Sequence, residues 1–541
     1  MGSSSYTFYN NAYKGSLSEK TCSELDYYIN LSDEQGCEVS LLHCIYEMSN
    51  SDVEDFITDM ETVGQPIRDY AKPLGTLSDY QTVGVAFGFT AGNYINGDSV
   101  GLGKTVETAG IYNVSKSYAR KQDLDYNCLI LTEKSLVSQF RSEMVKFTGD
   151  FFQCLTSAEA DEIEKFTYSN PTDKPLKYSV VGTHHLLKAP SFIAWLERCR
   201  TGGMGFPFHT LVVDESSILG GKSSTQIVKS FKAISKYFQK IIFLNATPFE
   251  TNLEVFYNQL DLLDNKLLPT KTEFQSEFCI MKYNGRYKIP TGKYKNQDVF
   301  KNRIRYNYFA RTRRDNGAEM KDCKGGVLYT DLSDIQKYWI NRTQLSRMVY
   351  DCPNYLDPSI EFSMENVPKL RSLYNLLHHE AADEETILVF TYFKEAQYAL
   401  SEWLTNIGVS NKVLNGETKP KDREAIIKGF KNAEYRVLVT NVQKGLNFGS
   451  CNFCIFYSFD PNPSSMIQFE GRTTRSFDII GKSVYILCSN GKEKKTLLNV
   501  VKRRAKETTN FTNTDLSVVL SVLLSASEGS ESDDDMEYWT E

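Results

Sequence analysis

Gly97-Asp98-Ser99-Val100-Gly101-Leu102-Gly103-Lys104-Thr105 is the stretch on which the reading of this chain turns. It follows an apolar and aromatic segment and precedes a helix-compatible run from Val106 to Tyr112, the setting of a phosphate-binding loop. Gly101 and Gly103 let backbone N–H groups face phosphate oxygens, and a helix N-terminus adds positive potential. Lys104 is then placed to reach the outer phosphates, and the Thr105 hydroxyl to ligate Mg²⁺. The strict pattern G-x-x-x-x-G-K-[ST] has glycine where this chain has Asp98. Taken alone, the same residues also read as a glycine-rich turn with an exposed lysine.

About a hundred residues downstream, Leu211-Val212-Val213-Asp214-Glu215 is an apolar strand ending in two carboxylates. Parallel sheets gather their ligands at the carboxyl ends of strands, which is where catalytic acids belong. Asp214 is expected to hold Mg²⁺ and Glu215 to position and deprotonate an attacking water. Alone, an Asp-Glu pair at a strand end is more often a helix N-cap. Gln468-Phe469-Glu470-Gly471-Arg472-Thr473-Thr474-Arg475 offers two arginines three apart, on one face if helical. Guanidinium groups suit phosphoryl transfer; a salt-bridging surface helix is the other reading.

Composition sets bounds around these motifs. A chain of 541 residues suggests roughly three or four domains. No apolar run approaches the roughly 18 residues that span a bilayer, and the N-terminus does not resemble a secretory signal, so no membrane role is expected. The 12 cysteines are scattered in apolar surroundings and read as reduced thiols. Cys451 and Cys454 form a lone C-x-x-C on a strand of buried type, without a second ligand pair nearby. The net charge of −7 is unevenly spread. Residues 1–76 hold four basic and thirteen acidic groups, and 526–541 hold seven acidic and none basic, which leaves a net positive middle. That balance suits a polyanion-binding body with acidic ends.

Short apolar runs alternate with helix-period segments from about residue 77. Cys128–Thr132, Tyr178–Val181, Leu211–Val213 and Ile241–Leu244 read as buried strands, while Ile227, Val228, Phe231, Ile234 and Phe238 recur at helical spacing. The alternation lapses over about 262–380, apart from a possible hairpin at Tyr283-Asn284-Gly285-Arg286. It resumes in Thr386–Thr391, Arg436–Thr440, Phe453–Tyr457 and Ser483–Cys488. The fold class is α/β with two parallel-sheet lobes, a helical insertion and a small helical N-terminal domain. The expected boundaries are 1–76 for an acidic accessory domain, 77–262 for lobe 1 and 263–379 for the insertion. Lobe 2 follows at 380–505, then a C-terminal helix and acidic tail at 506–541.

In combination the motifs resemble superfamily-two helicases, most nearly the Swi/Snf-like ATPase branch. Phe243-Leu244-Asn245-Ala246-Thr247-Pro248, with Asn252-Leu253-Glu254 and Asn258-Gln259-Leu260 after it, is similar to motif III of that branch. Its members commonly have an acidic residue at the place of Asp98. Leu77-Ser78-Asp79-Tyr80-Gln81 resembles the adenine-reading segment, with Gln81 as the base contact. Ile130-Leu131-Thr132 resembles motif Ia, Val389-Phe390-Thr391 motif IV, Thr440-Asn441 with Gly445-Leu446-Asn447 motif V, and Gln468, Gly471, Arg472 and Arg475 motif VI. Motif II, Asp214-Glu215-Ser216-Ser217, departs from the family, which usually ends it in a histidine that relays between ATP and the DNA side. Asn307-Tyr308-Phe309-Ala310-Arg311-Thr312-Arg313-Arg314 resembles the family's arginine-rich segment, a DNA-phosphate or interlobe contact unless it is surface charge.

The resemblance implies two RecA-like lobes with ATP and Mg²⁺ between them. Gln81, Asp98, Ser99, Val100, Gly101, Leu102, Gly103, Lys104 and Thr105 would bind ATP, and Thr105 and Asp214 would hold Mg²⁺. Lys104, Asp214, Glu215, Arg472 and Arg475 would be catalytic; Thr132, Thr247, Thr391, Thr440 and Gln468 would couple hydrolysis to DNA. The implied activity is ATP-driven translocation on duplex or branched DNA by a monomer, in fork or recombination-intermediate remodelling or in clearing bound proteins. The alternatives are an RNA or single-strand helicase, or a non-hydrolysing protein that binds DNA or a polymerase. A replication, recombination or transcription protein is an expected partner. A phage, viral or bacterial source is expected, with the protein in bacterial cytoplasm or an infected cell.

Overall fold

The computed structural model describes residues 77–121, 123–155, 179–201, 207–221, 225–248, 253–311, 324–343, 345–382, 385–442, 451, 453–458, 468–469, 482–488 and 493. The expected N-terminal domain and C-terminal tail, and motif VI from Gly471 to Arg475, lie outside them. Two compact units divide the chain, one ending at Arg311 and the other starting at Thr312.

The first unit is built on a seven-stranded parallel sheet. Its strands are β1 (Tyr94–Asn96), β2 (Cys128–Thr132), β3 (Phe152–Leu155), β4 (Ser179–Thr183), β5 (Thr210–Asp214), β6 (Lys240–Leu244) and, after the antiparallel hairpin β7 (Cys279–Asn284) and β8 (Tyr287–Tyr294), β9 (Tyr308–Phe309). The sheet order is β3-β4-β2-β5-β6-β1-β9. Helices on the faces explain the continuous apolar runs: all five residues of β2 are buried, as are all five of β4. The Gln226–Ser235 helix turns Ile227, Val228, Phe231 and Ile234 inward at the spacing read from the sequence.

The second unit holds a six-stranded parallel sheet in the order β10-β15-β14-β11-β13-β12. These strands are β10 (Lys324–Thr330), β11 (Ile387–Phe390), β12 (Asn411–Leu414), β13 (Val437–Thr440), β14 (Phe453–Phe456) and β15 (Lys482–Cys488). Phe456 stacks flat on Tyr485, with centroids 4.1 Å apart, and Phe390 and Phe469 close the same aromatic layer. Cys454 lies on β14 and is wholly buried, so the C-x-x-C pair serves the core.

The expected helical insertion at 263–379 is shared out between the two units. Its first part adds a separate two-stranded hairpin, β7–β8, to the first unit and the edge strand β9 to the first sheet. Its second part adds β10, which pairs with β15 along all seven residues from Lys324 to Thr330. A two-residue strand and one opening on Lys324-Gly325-Gly326 have no apolar run to announce them; pairing alone defines both.

A buried ionic cluster fixes the later part of that segment to the second sheet. Lys369 Nζ lies 2.9 Å from Asp351 Oδ1 and 2.8 Å from Glu493 Oε1, and donates to the Tyr457 carbonyl at 3.1 Å. All three charged side chains are buried. Burial opposes the lysine charge, but the two carboxylates outweigh it and hold its pKa above the usual range. Removing the cation strands two buried acids, a loss of about 3–5 kcal/mol. Lys369→Met is therefore expected to lower second-unit stability by that amount in denaturant unfolding. A change below about 1 kcal/mol would show the cluster to be dispensable.

Candidate functional site

The phosphate loop leaves the end of β1 and runs into the Lys104–Lys121 helix. Gly101 and Gly103 both adopt positive φ, +92° and +90°, which explains glycine at each position. A side chain at Gly103 would also strike Gln81 Nε2 at 2.5 Å. Gln81 Nε2 and the Tyr80 hydroxyl both donate to the Leu102 carbonyl, at 3.2 and 3.0 Å. The expected base-contacting residue is thus attached directly to the loop.

Lys104 Nζ donates to the carbonyls of Asp98 at 2.6 Å and Ser99 at 3.2 Å, inside the concavity of its own loop. Burial pulls its pKa down, while Asp98, Glu215 and Asp214 act in the opposite sense. Thr105 is the second residue of the helix that the loop feeds.

Asp214 ends β5, two strands along the sheet from β1. Its carboxylate accepts from the Thr132 hydroxyl at 2.8 Å, and its carbonyl lies 2.7 Å from His184 Nε2. Burial, and then the adjacent Glu215, push its pKa up. A buried acid beside a second acid and facing a lysine is an oxygen donor set suited to a hard divalent cation, which would relieve the repulsion. Glu215 itself sits at φ +48°, a conformation that non-glycine residues rarely occupy and that costs on the order of 1–2 kcal/mol. Strain thus falls on the residue expected to meet the water.

Asp98 was expected in the ATP contact, and its side chain is committed elsewhere. Its carboxylate is wholly buried and faces Arg311, accepting from the Arg311 backbone N–H at 2.8 Å and from Nε at 3.2 Å. Arg311 Nη2 also reaches Glu107, whose other oxygen accepts from Asn96 at 2.7 Å. The guanidinium lies over the Tyr80 and Phe309 rings, 5.2 and 4.7 Å from their centroids. Arg311 is therefore neither a DNA-phosphate contact nor surface charge: it is a buried tie beneath the phosphate loop. Backbone bonds from Gly97 N to Phe309 O (2.6 Å) and from Ser99 N to Arg311 O (3.0 Å) sew the two segments together. Burial and the Asp98 charge raise the Glu107 pKa, bringing the cluster toward neutrality.

A second tie joins motif II to the loop after β6. Ser216 Oγ donates to Gln259 Oε1 at 2.7 Å; Gln259 Nε2 donates to the Pro248 carbonyl at 3.1 Å, and Asn245 Nδ2 to Gln259 Oε1 at 3.1 Å. Gln259 is fully buried on the Leu253–Leu263 helix. The bond between the two motifs is thus made from Ser216, one residue before the position where the family usually has histidine. Thr247 is buried in the same loop, its N–H donating to Asn245 Oδ1 at 3.0 Å.

In the second unit, Thr391 and Thr440 stand just beyond and at the ends of the neighbouring strands β11 and β13. Both are fully buried. Thr391 Oγ1 meets Ser458 Oγ at 3.2 Å, and Thr440 Oγ1 accepts from Val442 N at 3.0 Å. Their hydroxyls are engaged within the sheet end itself. Gln468 is buried beside Phe469. Arg472 and Arg475 lie outside the described residues.

A phosphate loop after β1, an acid pair at the end of β5 and a threonine-bearing loop after the intervening β6 define an α/β nucleotide-binding lobe, here followed by a second parallel-sheet unit. The SNF2-related domain model matches residues 64–384, and the helicase conserved C-terminal domain model matches residues 368–477. The chain belongs to the SNF2-related family. It is 22% identical over 482 residues to the ATP-dependent DNA helicase DDM1 of Arabidopsis thaliana, covering 79% of this chain and 61% of that protein. It is also 22% identical to an uncharacterized ATP-dependent helicase of Mycoplasma pneumoniae, covering 69% of this chain and 36% of the relative. The chain thus spans about three fifths or less of these relatives. Among solved structures it is similar to the Sulfolobus solfataricus SWI2/SNF2 ATPase core in complex with dsDNA. There the identity is 19% and the TM-score 0.37, over 84% of this chain and 96% of that one.

Arg311→Lys keeps a charge but loses the planar fork that serves Asp98 and Glu107 together. Amide hydrogen exchange of residues 97–103 is expected to accelerate by roughly tenfold or more in this variant, with β2 and β5 unchanged. Unchanged protection of the loop would remove Arg311 from its support.

Proposed function

We propose that this protein is an ATP-dependent translocase acting on DNA. The observation that carries the reading is that Lys104, on a loop shaped for phosphate after β1, and Asp214 and Glu215, after β5, lie at the carboxyl ends of strands of one parallel sheet, within electrostatic reach of each other. Lys104 would exchange its loop carbonyls for the outer phosphates of the nucleotide. Thr105 and Asp214 would hold Mg²⁺, which supplies charge neutralisation to the phosphate oxygens. Thr132 fixes the Asp214 carboxylate, and Glu215 orients the attacking water and takes its proton. Arg472 and Arg475 keep the role that motif VI implies for them.

The net positive middle of the chain supports a polyanionic track. Backbone phosphates give affinity without sequence reading, so binding should fall steeply with salt. Duplex or branched DNA is the proposed substrate, and remodelling of forks or recombination intermediates the proposed task. The Ser216–Gln259–Pro248 bonds are the proposed route by which the motif II loop informs the motif III loop.

One steady-state ATPase assay, with and without duplex DNA, single strands and RNA, tests this reading. Duplex DNA is expected to stimulate the wild type most, and Glu215→Gln to lower turnover by about 10²-fold or more. Gln259→Leu is expected to keep basal turnover while losing about tenfold of the stimulation by DNA. Stimulation by RNA alone, or hydrolysis undiminished in Glu215→Gln, would overturn the assignment.

A further inference from the structure

The β7–β8 hairpin plays no part in the site described above, and its composition is strongly basic. Between Cys279 and Gln297 it carries Lys282, Arg286, Lys288, Lys293 and Lys295 and no acidic residue. The tip is a two-residue turn in which Gly285 takes φ +68°. Tyr283 and Tyr287 flank this turn, each 73% exposed. Two large rings in water at a loop tip bury nothing within the fold, so packing does not account for them.

The register fixes where these rings stand. Tyr283 pairs with Lys288 and Asn284 with Tyr287. Directly opposite residues share a face and successive ones alternate, so the two tyrosines occupy opposite faces of the ribbon. Lys288 Nζ lies 5.5 Å from the Tyr283 ring, a cation beside an open aromatic face.

The base of the hairpin is held rigidly. Phe278 and Cys279 are buried, and Phe278 packs edge-on against Phe300, with ring centres 5.3 Å apart. Phe300 meets Phe256 of the Gln259-bearing helix at 5.8 Å, and Phe256 meets Tyr308 of β9 at 5.1 Å. Lys295 N bonds the Phe278 carbonyl at 2.9 Å, closing the stem. The stem thus packs on the helix that bears Gln259, which in turn packs on the strand that leads to Arg311.

We infer that this hairpin is a nucleic-acid-binding element that takes unpaired bases where a DNA duplex opens or branches. Inside a duplex the base faces are already stacked, and only the backbone is offered to the lysines. At a junction the free bases can stack on Tyr283 and Tyr287, one on each side of the ribbon, while the five cations hold the diverging phosphates. The inference rests on the DNA reading of the preceding subsection and specifies which structure is favoured.

The test uses the full chain and its Tyr283→Ala/Tyr287→Ala variant in fluorescence anisotropy with a forked DNA and a blunt duplex of equal length. Vesicles containing phosphatidylserine serve as a third arm. The wild type is expected to bind the fork more tightly. The variant, with unchanged melting temperature and basal ATPase, is expected to lose about tenfold or more on the fork and under about twofold on the duplex. A Lys282→Gln/Lys288→Gln variant is expected to flatten the salt dependence on both DNAs. Equal losses on fork and duplex, or none on either, would overturn the hairpin assignment and leave the translocase reading standing. Tyrosine-dependent capture by vesicles without fork preference would reassign the hairpin to a lipid surface. A wild type that binds neither DNA would bring down both readings.

Discussion

The ion pair between Asp98 and Arg311 is the constraint on which the first unit's site depends. It joins two residues 213 positions apart, one inside the phosphate loop and the other the last residue of the unit. A buried guanidinium must be matched by carboxylates, because an unpaired charge costs several kcal/mol in this environment. Asp98 and Glu107 provide that match, and the aromatic faces of Tyr80 and Phe309 cover the rest. The curvature of the loop is therefore held by contacts within the protein itself. Since Thr312 begins the second unit, the residue that braces the loop is also where the chain leaves the lobe.

Around that brace the site stores opposed charges at close quarters. Burial and the adjacent Glu215 push the pKa of the Asp214 carboxyl up, and Lys104 donates to its own loop carbonyls. A nucleotide and a divalent cation would give each of these groups a partner of opposite charge. Thr132 holds the Asp214 carboxylate at 2.8 Å, and Gln259 holds the motif II and motif III loops with buried hydrogen bonds of 2.7 and 3.1 Å. Nearby, the hairpin stem shares its aromatic packing with the helix that bears Gln259.

Much of this was legible in the sequence, for reasons that can be named. β2, β4, β5, β6, β11, β13, β14 and β15 are central or near-central strands covered on both sides, and each betrays itself as an apolar run. β3, β9, β10 and β12 lie at or beside sheet edges, and β1 has only three residues; their pairing partners define them, so pattern reading passes over them. Lys104 and Asp214 were readable because each sits in a local motif whose spacing carries its chemistry. Arg311 and Gln259 fall in segments that the sequence marks, but what they bond could not be read, because their partners lie far away in the chain. Asp98 shows the limit most clearly: the motif gives the residue type but not the direction of the side chain. The signal was nonetheless present, since an acid where a phosphate loop ordinarily has glycine calls for a cation, and Arg311 ends the strand-like Tyr308-Phe309-Ala310.

The central claim is that the loop from Gly97 to Thr105 is a nucleotide site already formed in the free protein. Titration of a fluorescent ATP analogue into the wild type and Lys104→Ala, with magnesium and without DNA, tests it most directly. Saturable binding by the wild type, weakened at least about tenfold in Lys104→Ala, is the predicted result. Equal affinity in the two proteins would contradict it.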